Sequence, residues 1–83
     1  MSELVWQVYI LQCGDGSLYT GITNDLGARL IQHQKGKGAK YTRSHLPVKL
    51  AYQEICADRS VALIREAEIK KLPRATKIRL LVI

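Results

Sequence analysis

The chain has 83 residues, with 13 Lys or Arg against 7 Asp or Glu, a net charge of +6 and a hydrophobic fraction of 47%. That length fits one domain over residues 1–83, in which folding hides only about 60% of the surface exposed by the unfolded chain. The apolar fraction excludes a disordered chain, and no apolar run approaches the roughly 20 residues of a membrane-spanning helix. The start, MSELVWQVY, lacks a basic stretch followed by a long apolar run, so no secretory signal is read and a cytoplasmic protein is expected. Cys13 and Cys56 match no metal-binding spacing, which suits reduced thiols in a strand or core.

Residues 4–13, LVWQVYILQC, are almost continuously apolar and β-branched, which predicts an interior strand. Gly14-Asp15-Gly16-Ser17 supplies a turn with glycines for positive φ, and residues 18–22 return, so the pair reads as a hairpin. Thr23 or Asn24 is expected to cap the next helix, with Asp25 in its first turn, where the dipole favours negative charge. That helix runs to residue 34, and Gly36 ends it. Leu26 and Leu30 pack inward, while Arg29 and His33, also four apart, share another face. Gly27 costs the helix about 1 kcal/mol against alanine and hints at close approach of another backbone.

Residues 35–45, KGKGAKYTRSH, read as a basic loop with one aromatic, Tyr41. Leu46-Pro47 leads into a third strand, where Val48, Leu50 and Tyr52 alternate with Lys49, Ala51 and Gln53 to give one buried face, with Ile55 a further member. Asp58 or Ser60 is expected to cap a helix over residues 61–71 whose buried stripe is Leu63, Ile64 and Ala67. Pro73 stops it and starts a third, short helix with Ile78, Leu81 and Val82 on one face. The order β-β-α-β-α-α predicts an α+β fold, a small three-stranded, mostly antiparallel sheet flanked by helices.

Charge is segregated along the chain. Residues 1–28 contain no Lys or Arg, residues 26–53 no acid, and no acid follows Glu68. Two basic segments beside a nearly uncharged start predict a one-sided positive surface, suited to a polyphosphate through counterion release; solubility charge on solvated faces explains the same distribution.

Phosphodiester cleavage needs a group to activate water, a cation for the phosphate and a carboxylate for a metal. Arg29 offers a rigid charged fork, and His33, one turn on, a proton carrier. Tyr9 and Tyr19, on paired strands, are placed to present hydroxyls on one sheet face, although a cross-strand aromatic pair is also common packing. Glu66 is the carboxylate best placed on a sheet-packing helix, four after Ala62 and three before Ile69. It competes with Glu68, and either also suits an ion pair with Arg59, Arg65 or Lys70. Tyr41 serves as a stacking platform for a base or as a plug over the core, and Gly21 as a bulge or a close backbone approach.

In this order the residues resemble the GIY-YIG endonucleases. Gln7-Val8-Tyr9 and Tyr19-Thr20-Gly21 stand for the paired motif, with the tyrosines ten residues apart; Arg29 follows Gly21 by eight, His33 comes four later, and Glu66 lies in a later helix. GKGAKYTRSHLPVKLAY is similar to the small single-domain bacterial branch of that superfamily. The resemblance implies a divalent-metal-dependent endonuclease acting on DNA, in repair or processing. Tyr9 would be the general base, Tyr19 would orient phosphate or water, and Arg29 would stabilise charge on the scissile phosphate. His33 would assist proton transfer, and Glu66 would hold a single Mg²⁺ or Mn²⁺. Lys35, Lys37, Lys40, Tyr41 and Arg43 would grip nucleic acid.

The chain departs from the pattern at Gln7, Val8 and Thr20. It also lacks the asparagine that many relatives carry near the chain end; its only one is Asn24, and Thr76 is the candidate substitute. With no groove-reading helix or zinc finger, low sequence specificity and single-stranded or structured DNA are expected. Selection then falls to the domain, to dimerisation or to a partner protein. The rival readings are a non-catalytic nucleic-acid-binding module, a partner-dependent nuclease subunit, and a protein-interaction subunit with an acidic partner.

Overall fold

Four consecutive residues, Val8, Tyr9, Ile10 and Leu11, are at most 1% exposed, and strand β1 (Gln7–Cys13) that carries them is the middle of the sheet. In the computed structural model, which describes residues 5–81, β1 is flanked by β2 (Leu18–Thr23) and β3 (Val48–Ile55), in the order β2-β1-β3 with both pairings antiparallel. Successive side chains of a strand point to opposite faces, so an unbroken apolar run needs cover on both. Helices α1 (Leu26–Gln34) and α2 (Lys40–Arg43) cover one face, and α3 (Arg59–Lys71) and α4 (Arg74–Leu81) the other. Tyr9, Leu11 and Cys13 pack with Val48, Leu26 and Leu30 under α1. Val8 and Ile10 pack with Cys56, Ala62 and Ile69 under α3, with Leu80 and Leu81 of α4 against them. Both cysteines are free and buried. Among the described residues no helix is long and apolar enough to cross a membrane.

The expected α+β order holds, with a one-turn addition: α2 forms inside the stretch read as a loop. The hairpin is as expected. Gly16 takes φ of 85°, and Asp15 Oδ1 accepts from the Ser17 backbone N–H at 3.0 Å and hydroxyl at 2.6 Å. The regular strand begins at Gln7 rather than residue 4, which lies outside the described residues. The cap of α1 is Asp25, not Thr23 or Asn24. Its carboxylate accepts from the Ala28 N–H at 3.2 Å, and Thr23 Oγ1 accepts from the Asp25 N–H at 3.0 Å. Gly36, at φ of 77°, ends the helix as expected. Among the described residues no backbone from another element lies within 4 Å of a Cβ added at Gly27, which would meet only an Asp25 oxygen at 4.0 Å.

Two buried faces differ from expectation. In β3 the register slips so that Tyr52 pairs with Ile10, Leu50 with Leu11, and Ala51 is left between them. The extra residue reverses the alternation, so Leu50 joins the Tyr9 side and Tyr52 the opposite side, while Ile55 is 72% exposed. Helix α3 starts at Arg59, with Asp58 capping through the Val61 N–H at 2.9 Å. Its buried residues are Ala62 and Ile69, not Leu63, Ile64 and Ala67; Ile64 is 63% exposed. The four-residue step from Ala62 to Glu66 and the three-residue step to Ile69 mark the face of α3 that is turned to the sheet. In α4, Leu80 and Leu81 pack and Ile78 stays exposed; Val82 lies outside the described residues.

The α3 assignment predicts a contrast. Ile69→Ala should cost about 2–5 kcal/mol through lost burial and a cavity, and Ile64→Ala should stay within about 0.5 kcal/mol. Urea unfolding of both variants checks it; a larger loss for Ile64→Ala than for Ile69→Ala would mean that α3 packs through the other stripe.

Candidate active site

The site begins with an absence of bulk. Gly21 of β2 stands opposite Tyr9 of β1, and a Cβ at that position would come within 2.6 Å of the Tyr9 hydroxyl oxygen and 2.8 Å of Cζ. Glycine there lets the phenol lie across the neighbouring strand, so close approach, rather than a bulge, accounts for Gly21. Tyr19 pairs with Leu11 and therefore shares the Tyr9 face, with the two rings 6.5 Å apart.

Helix α1 lays Arg29 and His33 over this pair. His33 is fully buried; its Nε2 lies 2.8 Å from the Tyr9 hydroxyl, and its ring centroid is 5.7 Å from that of Tyr9 and 5.4 Å from that of Tyr19. On its far side Nδ1 lies 2.8 Å from Thr42 Oγ1, and the Thr42 hydroxyl is 3.0 Å from the Ala39 carbonyl. Thr42 is itself fully buried, and Gly38 sits against the ring: a Cβ there would overlap Nδ1 and come within 2.8 Å of Cγ. The segment read as a basic loop thus has a buried side. Sequence reasoning missed Thr42 and Gly38; the available signals were a glycine outside any predicted turn and a lone β-branched residue among lysines.

The segment is tied to the hairpin. The Gly14 N–H donates to the His45 carbonyl at 3.0 Å, His45 Nδ1 donates to the Tyr41 carbonyl at 2.7 Å, and His45 Nε2 is 3.8 Å from Asp15. Tyr41 stacks on His45 at 4.0 Å and, offset, on Tyr19 at 6.1 Å. Lys35, Lys37, Lys40 and Arg43 are exposed along the same segment, without an acidic partner among the described residues.

Burial pushes the Tyr9 hydroxyl above the ordinary phenol range; Arg29 opposes this, while Tyr19 and Glu66 add to it. The Arg29 guanidinium donates to Gln32 at 3.1 Å; it lowers the Tyr9 pKa by hydrogen bonding and by its charge, and that of His33 by its charge alone. Glu66 lies on the buried stripe of α3 with its side chain 19% exposed, and Lys70 Nζ is 3.3 Å from one of its oxygens. Glu68 instead pairs with Arg65 at 3.5 Å and is 61% exposed. Of the two carboxylates, Glu66 is the one whose charge reaches Tyr9. Among the described residues no three His, Cys, Asp or Glu side chains cluster to hold a metal. A lone carboxylate whose charge reaches the phenol suits only an ion that keeps several waters and takes further oxygens from a bound phosphate, as Mg²⁺ does.

Burial, and secondarily the Arg29 charge, lowers the His33 pKa below the ordinary imidazole value. Below about pH 6.5 the unfolded chain then takes up a proton that the folded chain refuses, so stability falls as pH drops through that value toward the folded pKa. Thermal melts across this range should show that slope, and His33→Gln should flatten it. An unchanged slope in the variant would assign it to other groups.

The family model described as the GIY-YIG catalytic domain matches residues 5–79. A protein named UPF0213 from Streptococcus sanguinis is 56% identical over 71 residues, covering 86% of this chain and 82% of its own. One of the same name from Staphylococcus epidermidis is 53% identical over 74 residues, covering 89% and 90%. A solution NMR structure of a UPF0213 protein from Bacillus halodurans is 44% identical with a TM-score of 0.58, covering 90% of this chain and 80% of that one. A second NMR structure, from E. faecalis, is 38% identical with a TM-score of 0.61, covering 95% and 88%. With the tyrosine pair, arginine, histidine and glutamate in place and the match running over almost the whole chain, the protein belongs to the GIY-YIG family.

Proposed function

We propose that this protein is a divalent-metal-dependent endonuclease acting on DNA, with low sequence specificity and a preference for single-stranded or structured regions. The observation that carries this reading is the buried 2.8 Å hydrogen bond between Tyr9 and His33, next to the charges of Arg29 and Glu66. Family membership supports nuclease activity in general.

In this reading Tyr9 Oη takes a proton from the attacking water, and its own proton passes along the bond to His33. The hydroxide oxygen bonds to phosphorus and the bond to the leaving deoxyribose oxygen breaks. That oxygen takes a proton from solvent, and His33 returns one to solvent. Arg29 neutralises the phosphate oxygens as charge builds, and Tyr19 orients the phosphate or the water. Glu66 would hold Mg²⁺ or Mn²⁺, which supplies Lewis-acid polarisation of the phosphate. Lys35, Lys37, Lys40 and Arg43 attract the backbone through counterion release. The Tyr41–His45 stack beside Tyr19 offers an aromatic surface for an unpaired base.

A second reading, nucleic-acid binding without turnover, is favoured by two observations. Tyr9 is 1% exposed, and Lys70 already occupies one oxygen of Glu66.

The test is cleavage of labelled single-stranded, duplex and branched DNA with Mg²⁺, Mn²⁺ or a chelator. Wild type should cut only with metal. Tyr9→Phe and Glu66→Ala should each lower the rate by about 10²–10⁴-fold with DNA affinity retained. Binding without cutting of any substrate would select the second reading.

A further inference from the structure

We propose that Thr42 is a positioning residue for His33: it accepts a hydrogen bond from the Nδ1–H while donating its own to the Ala39 carbonyl, so that Nε2 is left to accept a hydrogen bond from the Tyr9 hydroxyl. The proposal rests on the reading of Tyr9 and His33 as the reactive pair and adds the group that orients them.

The protons of the three side chains can be counted. A threonine hydroxyl has one hydrogen and two lone pairs. The Ala39 carbonyl can only accept, so the 3.0 Å bond to it takes the Thr42 hydrogen. What Oγ1 then presents to His33 Nδ1, 2.8 Å away, is a lone pair, and Nδ1 must carry the hydrogen. A neutral imidazole has one N–H, so Nε2 is unprotonated and receives the hydrogen bond from Tyr9 at 2.8 Å. All three bonds run in one direction, from Tyr9 through His33 and Thr42 to the backbone.

The opposite tautomer keeps fewer bonds. With hydrogen on Nε2, Thr42 would have to turn its hydroxyl toward Nδ1 and give up Ala39. The Tyr9 hydrogen would then lose its acceptor. Tyr9, His33 and Thr42 are all at most 1% exposed, so water offers little replacement. Gly38 completes the cradle. Its lack of a side chain lets the backbone close on the ring, where a Cβ would overlap Nδ1 and press within 2.8 Å of Cγ and Cε1. The ring is held in plane by contact and in tautomer by Thr42. The second partner of a reactive histidine acts in this way in other sites, fixing which nitrogen carries the proton.

The experiment is performed on the full chain labelled with ¹⁵N. Long-range ¹H–¹⁵N correlations report which ring nitrogen of His33 is protonated, in wild type, Thr42→Val and Thr42→Ser. Wild type and Thr42→Ser should show hydrogen on Nδ1, and Thr42→Val should move the population toward Nε2. With single-stranded DNA as substrate, Thr42→Val should lower kcat about 10- to 100-fold with KM little changed, and Thr42→Ser should restore it. Hydrogen on Nε2 in wild type, or a tautomer unmoved by Thr42→Val, overturns the proposal. If Thr42→Val does not fold, the wild-type and Thr42→Ser spectra decide the tautomer alone. The tautomer arm needs no substrate, so a wild-type chain that cuts nothing would sink the nuclease reading without touching the assignment of Thr42.

Discussion

A phenol oxygen inside a strand buried on both faces is the constraint around which this molecule is arranged. Tyr9 contributes apolar area to the core under α1, but its hydroxyl must be satisfied there, because an unpaired buried hydroxyl costs on the order of 1–3 kcal/mol. His33 meets that need, and being buried itself it requires a partner for its second nitrogen, which Thr42 provides. Thr42 passes the demand to the Ala39 carbonyl, and among the described residues no buried side-chain nitrogen or oxygen is left without a partner. Gly21 and Gly38 are the two positions where a side chain would force this chain of bonds apart.

The segment from Lys35 to His45 therefore has two surfaces with different physics. Its inner side, Gly38 and Thr42, is dry and holds an imidazole at short range. Its outer side carries Lys35, Lys37, Lys40 and Arg43 in water, where their value to a polyanion depends on salt. The bond from the Gly14 N–H to the His45 carbonyl fixes the segment to the hairpin, so the cover over His33 rests on the same strands that carry Tyr9 and Tyr19.

The other face of the sheet positions the carboxylate. Arg65 Nε lies 2.9 Å from Glu54 Oε2, and the Tyr52 hydroxyl donates to Glu54 Oε1 at 2.6 Å. Burial alone would raise the Glu54 pKa, but the bonds from Tyr52 and Arg65 outweigh it and lower the value. This cluster pins α3 to β3 one residue before Glu66. The bulge at Ala51 is what turns Tyr52 to that side. A strand without the extra residue would have sent Tyr52 to the Tyr9 face and left Glu54 without its hydroxyl donor.

Local chemistry made much of this legible. The apolar run of β1, the Gly-Asp-Gly turn and the Gly36 stop each follow from backbone preferences that a sequence displays. The tyrosine pair, Arg29, His33 and Glu66 could be selected by residue type and spacing, and Glu66 fell on the buried stripe because its offsets from Ala62 and Ile69 are those of a helix face. What failed were choices among similar local options. Asp25 displaced Thr23 and Asn24 as a cap, and Ala62 and Ile69 displaced Leu63 and Ile64 in the core, because the fit against the sheet decides between stripes of comparable apolarity. The β3 bulge was invisible because alternation continues in the residue types while the pairing slips. Thr42 and Gly38 were hidden inside a segment whose composition speaks for solvent. By itself, then, the sequence determined the order of the elements, the candidates for chemistry and the sign of the charge around them, since these depend on neighbours along the chain. Only the tertiary structure decided that Tyr9 meets His33, that Thr42 backs its far nitrogen and that Gly21 and Gly38 make room. Those contacts join residues from different elements, and a buried hydrogen bond exists only where packing has excluded the water that would otherwise make it.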